Sequence, residues 1–351
     1  MKVGSKPDGL IERLLVKANR VPVPLIDSFS AMMNAKAILA ANEISLFSEL
    51  ADGPLSAGEL SGRLKASERG VADLCDALCA SGYLEREGER FSLTAMSRKW
   101  LVRSSEDYIG NMLEHVNDLW GVWLNLEESI REGSPPGESY QDWLTDEEHR
   151  RTLRRHIVGL RDMAKLTAPE LIRAVKLPAG SKRLLDVGGG HGGYSIAFCR
   201  KYPSLSATVF DLGPTSEIGR EIVEREGMGE RVRFQVGDFL SEDFDSGYDA
   251  ALYFNIAHNF SEEDNRLLLG KVFNALAPGG RIAAWDMFKE PGGERDVLPA
   301  LMGLHMLVAS GGTSYQIPEV EEWLSTSGFT GLTRKVTPAA PGLTLVMARK
   351  P

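Results

Sequence analysis

Leu184-Leu185-Asp186-Val187-Gly188-Gly189-Gly190-His191-Gly192-Gly193 is the stretch that decides the fold. Strand-forming residues lead into an acidic side chain and then into five glycines within six positions. Glycine serves where φ is positive or where no Cβ fits, so this loop brings backbone very close to something. Tyr194-Ser195-Ile196-Ala197-Phe198-Cys199 follows at once as a helix. Strand, glycine loop and helix in that order build a nucleotide-type cofactor site.

The rest of the chain bounds that reading. Its 351 residues are enough for two domains, each with a core of its own. With 43% hydrophobic and 25% charged residues, the composition is that of an ordinary soluble globular protein. A net charge of -9 argues against nucleic acid or an anionic membrane as partner. No apolar run reaches the ~18 residues of a membrane span. The start, Met1-Lys2-Val3-Gly4-Ser5-Lys6, lacks the apolar core of a signal peptide. Cys75, Cys79 and Cys199 show no metal-ligand spacing, and a reducing, cytoplasmic compartment fits them.

Two parts differ in pattern. Ile38, Leu39, Ile44, Leu46, Phe47 and Leu50 recur at helical spacing. Ser56-Ala57-Gly58-Glu59 predicts a capped helix start, and Val71 to Leu78 gives another apolar face. Tyr83 to Leu93 predicts a hairpin turning at Gly88. Helix, helix, hairpin is the outline of a winged helix. Its candidate second helix, Glu68 to Cys79, is net acidic, which is the wrong sign for a helix facing phosphates. Further helices are expected over 105–175, broken by Gly133-Ser134-Pro135-Pro136-Gly137. The expected division is a winged-helix-like domain over 1–108, helices contributing to an acceptor pocket over 109–178, and an α/β domain over 179–351.

In that last part strands and helices alternate, which implies a largely parallel sheet with right-handed crossovers. The expected strands are Arg183 to Val187, Ala207 to Phe210, Val232 to Val236, Ala250 to Phe254, Arg281 to Trp285 and Leu343 to Ala348. Ligands in such sheets sit at the carboxyl ends of the strands. There the sequence places Asp186 with the glycines, then Asp211, Asp238, Asn255 with His258, and Asp286. Asp211 lies about twenty residues past the loop, where a carboxylate can accept both hydroxyls of a ribose. Gly188, Gly190 and Gly193 also satisfy the dinucleotide fingerprint, so an NAD-binding protein competes. Asp238, in Gly237-Asp238-Phe239, and the Pro278-Gly279-Gly280-Arg281 turn before a strand weigh against it.

Together these segments resemble the class I S-adenosylmethionine-dependent methyltransferases, within them the small-molecule O-methyltransferases of the caffeate and polyketide type. Leu185 to Gly192 is similar to the family's first cofactor motif, Val209-Phe210-Asp211-Leu212 to its ribose strand, and Val236-Gly237-Asp238-Phe239 to its adenine motif. Ile256-Ala257-His258-Asn259-Phe260-Ser261-Glu262-Glu263 resembles its His-Asp-Trp segment, with Asn259 and Phe260 departing from the pattern. The resemblance implies an α/β fold: a Rossmann-like class I methyltransferase domain with an N-terminal mainly helical winged-helix-like dimerisation domain, hence a homodimer. It implies cofactor-binding roles for Asp186, Gly188, Gly190, Asp211, Leu212, Asp238, Phe239 and Asn255. His258 falls on the catalytic histidine, Asp286 on the acidic position beside it, and His305 on a substrate-facing position.

Methyl transfer asks for alignment of two reactants and a base for a neutral hydroxyl. Histidine suits that role at cellular pH, and Asp286 would hold its tautomer. His305 stands where the family commonly has an apolar residue. His258, Asp286 and His305 would form a divalent metal site if they converge, since two histidines and a carboxylate leave positions open for substrate. That alternative resembles a subgroup methylating the carbon beside a keto group in α-keto acids. A relative that keeps the cofactor but has drifted to decarboxylation or hydroxylation is a third reading. Met163, Met302 and Met306 are candidates for an adaptable acceptor pocket, with Met112 beside them, and Arg161 for an acceptor carboxylate. His149 and His156, set among arginines, are expected to be solvated, and His191 to do no more than tolerate the loop.

Overall fold

Capping and apolar spacing build the N-terminal elements. The Glu59 backbone N–H donates to Ser56 Oγ at 3.2 Å, and the Ser56 N–H donates to the Glu59 carboxylate at 2.7 Å. This reciprocal cap starts the helix Ala57–Leu64, and Ser67 caps the next, Glu68–Ala80. A small sheet follows, of β1 (Leu55–Ser56), β2 (Leu84–Glu87) and β3 (Arg90–Leu93), in the order β1-β3-β2. Leu46, Phe47, Leu60, Cys75, Leu78 and Phe91 are its buried core. The helix–helix–hairpin outline is present, with β1 as an addition too short to signal itself in sequence. The computed structural model describes residues 9–137, 140–145, 149–292, 297–338, 340 and 342–351. It divides into two compact units, one through Asn117 and the other from Asp118. No helix among the described residues is long and apolar enough to cross a membrane.

The second unit is built on a seven-stranded sheet. Its strands are β4 (Arg183–Val187), β5 (Ser206–Asp211), β6 (Val232–Val236), β7 (Tyr248–Phe254), β8 (Leu276–Asp286), β9 (Thr330–Val336) and β10 (Thr344–Arg349). Their order is β6-β5-β4-β7-β8-β10-β9, with β4 to β8 parallel and β10 antiparallel to both neighbours. The chain starts at β4 and winds outward first one way and then the other. The carboxyl ends of β4 and its neighbours therefore open on a crevice, the usual place for a ligand. Alternate residues bury on opposite faces: Leu185 and Val187 with Tyr253 and Trp323, Leu184 with Phe198 and Leu252. All six expected strands form, some a few residues longer. The sequence reading missed β9, which exposes all of its residues but Leu332 and so has no apolar alternation.

Candidate active site

At the end of β4, Asp186 is buried. Its Oδ2 accepts from the Ser195 hydroxyl at 2.6 Å, while Oδ1 is buried with no hydrogen-bond partner. Burial pushes this carboxyl up to about 7, against the lowering effect of the Ser195 bond. The glycine loop turns over it. Gly188 has φ +65, and a Cβ there would overlap the Ile256 side chain, so only glycine lets the loop run this close to the next strand end. His191 does more than tolerate the loop: its Nδ1 accepts the Gly193 N–H at 2.8 Å, capping the helix Gly193–Lys201. Burial, then the charge of Arg161, pushes its imidazole down to about 3.

Asp211, at the end of β5, accepts the Gly190 N–H at 2.8 Å on Oδ2 and the Leu212 N–H at 2.7 Å on Oδ1. It thereby ties the glycine loop to the second strand. Burial raises its carboxyl to about 6 despite those two bonds. Each oxygen keeps a lone pair for a ligand hydroxyl. Leu212, half-buried, precedes the helix Gly213–Arg225. Asp238 is exposed; it accepts from Leu240 N–H at 3.0 Å and from the Ser241 hydroxyl at 2.8 Å. Those bonds, led by the Leu240 amide, hold its carboxyl below the usual range. The Phe239 ring lies in the core against Phe210 and Phe260, so this residue can offer a ligand little besides backbone.

The β7 end carries the histidine. Asn255 takes a left-handed φ of 51, which asparagine tolerates better than other side chains, and its N–H donates to the Trp285 carbonyl at 2.8 Å. The short turn Ala257–Asn259 then presents His258. Its Nδ1 lies 2.7 Å from Oδ1 of Asp286, the buried last residue of β8. Asp286 also accepts the Met287 N–H at 2.8 Å and the His258 N–H at 3.4 Å. A carboxylate so placed keeps the imidazole proton on Nδ1 and leaves a lone pair on Nε2.

Asn265, from the helix Glu262–Ala275, fixes this turn and was not foreseen from sequence. Its amide donates to the Ala257, Phe260 and Ser261 carbonyls at 2.9, 3.1 and 2.9 Å and accepts from the Tyr253 hydroxyl at 2.7 Å. A Cβ on Gly312 would collide with the His258 carbonyl oxygen, and the Thr313 N–H donates to that oxygen at 3.0 Å.

His305 lies on the helix Val297–Ala309, and its Nδ1 is 3.2 Å from the Trp123 indole Nε1. The two ring planes are parallel to within 8°. An indole N–H only donates, so Nδ1 accepts and the imidazole proton sits on Nε2. Burial and the neighbouring His258 push His305 down to about 4, so it stays neutral.

Three further expectations change. The metal site does not form: among the described residues no three His, Cys, Asp or Glu side chains are grouped to hold an ion. The donor chemistry explains why, because His258 and Asp286 face each other and a protonated Nε2 on His305 has no lone pair to give. Arg161 is ion-paired with Glu226, so its charge is already engaged and not free for an acceptor carboxylate. Met306 is buried, Met302 half-buried, and Met163 is 39% exposed. His149 and His156 are half-buried instead of solvated, His156 lying edge-on to Trp143 at 6.1 Å.

Comparison with known proteins gives the family. An O-methyltransferase domain matches residues 123–330, and an O-methyltransferase dimerisation domain matches residues 26–103. The 3-hydroxy-5-methyl-1-naphthoate 3-O-methyltransferase of Streptomyces sahachiroi is 32% identical over 330 residues, 93% of this chain and 94% of that protein. The tetracenomycin polyketide synthesis 8-O-methyl transferase TcmO of Streptomyces glaucescens is 29% identical over 338 residues, 95% and 98% of the two chains. Human N-acetylserotonin methyltransferase, solved in complex with S-adenosylmethionine, superposes with a TM-score of 0.84 at 21% identity, over 99% of both chains. This chain belongs to the S-adenosylmethionine-dependent O-methyltransferases that carry a dimerisation domain, enzymes that act on small-molecule acceptors.

Proposed function

We propose that this enzyme methylates a hydroxyl on an aromatic polyketide-type acceptor, with His258 as general base. The observation that carries the reading is the 2.7 Å contact from His258 Nδ1 to Asp286, which leaves Nε2 as the open basic nitrogen. When bound, S-adenosylmethionine supplies a methyl group on a positively charged sulfur. His258 Nε2 takes the proton of the acceptor hydroxyl as its oxygen becomes the nucleophile, and Asp286 stabilises the imidazolium that results. Asp186 and Asp211 suit the cofactor's two ends. The unpartnered, buried Oδ1 of Asp186 fits the cationic amino group of the methionine part, and Asp211 keeps lone pairs for ribose hydroxyls. The polyketide class rests on the two Streptomyces relatives, one named for a hydroxynaphthoate and the other for tetracenomycin polyketide synthesis.

The test is His258→Ala with saturating cofactor. Turnover should fall by ~10²–10⁴-fold while cofactor affinity measured by calorimetry stays put. Retention of most methyl transfer would remove His258 as the base.

A homodimer is part of the same proposal. Leu10, Ile11, Leu14, Leu25, Phe29 and Met32 of the first unit are exposed, a run of apolar side chains that a second copy would cover. The three free cysteines support a reducing, cytoplasmic setting.

A further inference from the structure

The two imidazoles of the site are wired in opposite senses. His258 gives its Nδ1 proton to Asp286, so its Nε2 accepts; His305 receives the Trp123 indole proton on Nδ1, so its Nε2 donates. Neither Nε2 has a hydrogen-bond partner among the described residues, and neither is a sealed-off buried atom. The helix that carries His305 packs against the turn that carries His258, which sets the two imidazoles side by side. An acceptor lying against both meets one nitrogen that wants a proton and one that offers it.

We infer that His305 is a specificity-determining residue, set in its donor tautomer by Trp123, and that it selects a hydroxyl flanked by a carbonyl or carboxylate oxygen. This rests on the reading of His258 as the base. A lone phenol satisfies only His258, and by covering the His305 N–H it takes water from that donor without giving it an acceptor, which is costly. A hydroxyl ortho or peri to a carbonyl oxygen satisfies both. The His305 proton is not consumed in the reaction: it lends a hydrogen bond, while the hydroxyl proton goes to His258. Its neutrality matters, because a second cation would oppose the positive charge His258 gains on accepting that proton.

Two measurements test this on the full-length enzyme loaded with S-adenosylhomocysteine. The first is 15N NMR of the histidine rings. His305 should read as the Nε2-protonated neutral tautomer from pH 6 to 8, and Trp123→Phe should turn it into a mixture. A protonated Nδ1 at His305 in the wild type overturns the inference. The second is calorimetric binding of 3-hydroxy-2-naphthoate against 2-naphthol. The wild type should prefer the hydroxy acid by about tenfold or more, the scale of one hydrogen bond to a charged acceptor. His305→Phe should erase that preference, and His305→Gln, whose amide still donates, should keep part of it. Equal binding of the two compounds, or binding of neither, by the wild type overturns the inference. Methyl transfer to 2-naphthol reports separately on the base. Its survival in His258→Ala would remove the base reading and leave the measured preference to stand or fall alone.

Discussion

Asp186 and Asp286 are both buried carboxylates at the same edge of one sheet, yet they are built for opposite states. Asp286 is fully engaged: imidazole, two backbone amides and strand β10 hold it in place. Asp186 has one oxygen bonded to Ser195 and the other left without a partner. The difference teaches what each end of the crevice is for. One carboxylate acts through a side chain that is already there. The other keeps an unsatisfied oxygen, which on the proposed reading waits for the cationic amino group of the cofactor.

Substituting the engaged carboxylate should give the largest effect. Asp286→Asn removes the charge that holds His258 in its working tautomer, so kcat should drop by on the order of 10²–10⁴-fold with cofactor affinity little changed. A drop in cofactor affinity of the same size would erase the contrast between the two ends. Next comes the scaffold of the histidine turn. Asn265→Ala takes one donor from the Ala257, Phe260 and Ser261 carbonyls, each of which keeps another, and leaves the buried Tyr253 hydroxyl without its acceptor. A loss of about 1–3 kcal/mol in denaturant unfolding is expected, with a modest fall in kcat. Unchanged stability would mean that the turn holds itself.

The subtlest prediction concerns pH. The Asp186 and Asp211 carboxyls are raised from 3.8 to about 7 and about 6 in the folded chain. Between pH 4 and 7 the unfolded chain has released protons that the folded one still binds. Stability of the cofactor-free protein should therefore decline as pH rises through that window and level off above it. Asp186→Asn should flatten the decline in Tm, and should weaken cofactor binding about tenfold at pH 8, where the wild-type carboxylate is charged. A pH-independent Tm in the wild type would contradict the unsatisfied state of Asp186.

How much of this was legible follows from where each signal lies. The β4 to β8 strands, the glycine loop and the His258–Asp286 pair were readable because each sits at the end of an apolar run. Asp186 was readable as acidic, but its dependence on Ser195 was not, since only the fold brings the helix back over the strand. The Trp123–His305 bond joins residues 182 apart on two helices, with no local pattern to announce it. Arg161 looked available because its partner Glu226 lies on a different element. Convergence of three ligands was the natural guess from strand ends. It failed because ring tautomers, which sequence does not encode locally, decide what a histidine can give.

The place of β10 has a consequence for the order in which the chain is made. β10 follows β9 in sequence yet lies between β8 and β9, with Thr344 opposite Asp286. During synthesis on the ribosome, β8 therefore keeps an open outer edge, and β9 has no neighbour in the sheet, until the residues through Arg349 have emerged. A nascent chain stopped before Thr344 would hold the glycine loop and the histidine, but the strand carrying Asp286 would be left with a raw edge, inviting a chaperone or another chain. The sheet edge beside the proposed catalytic pair is thus completed late, by a strand more than fifty residues further along the chain.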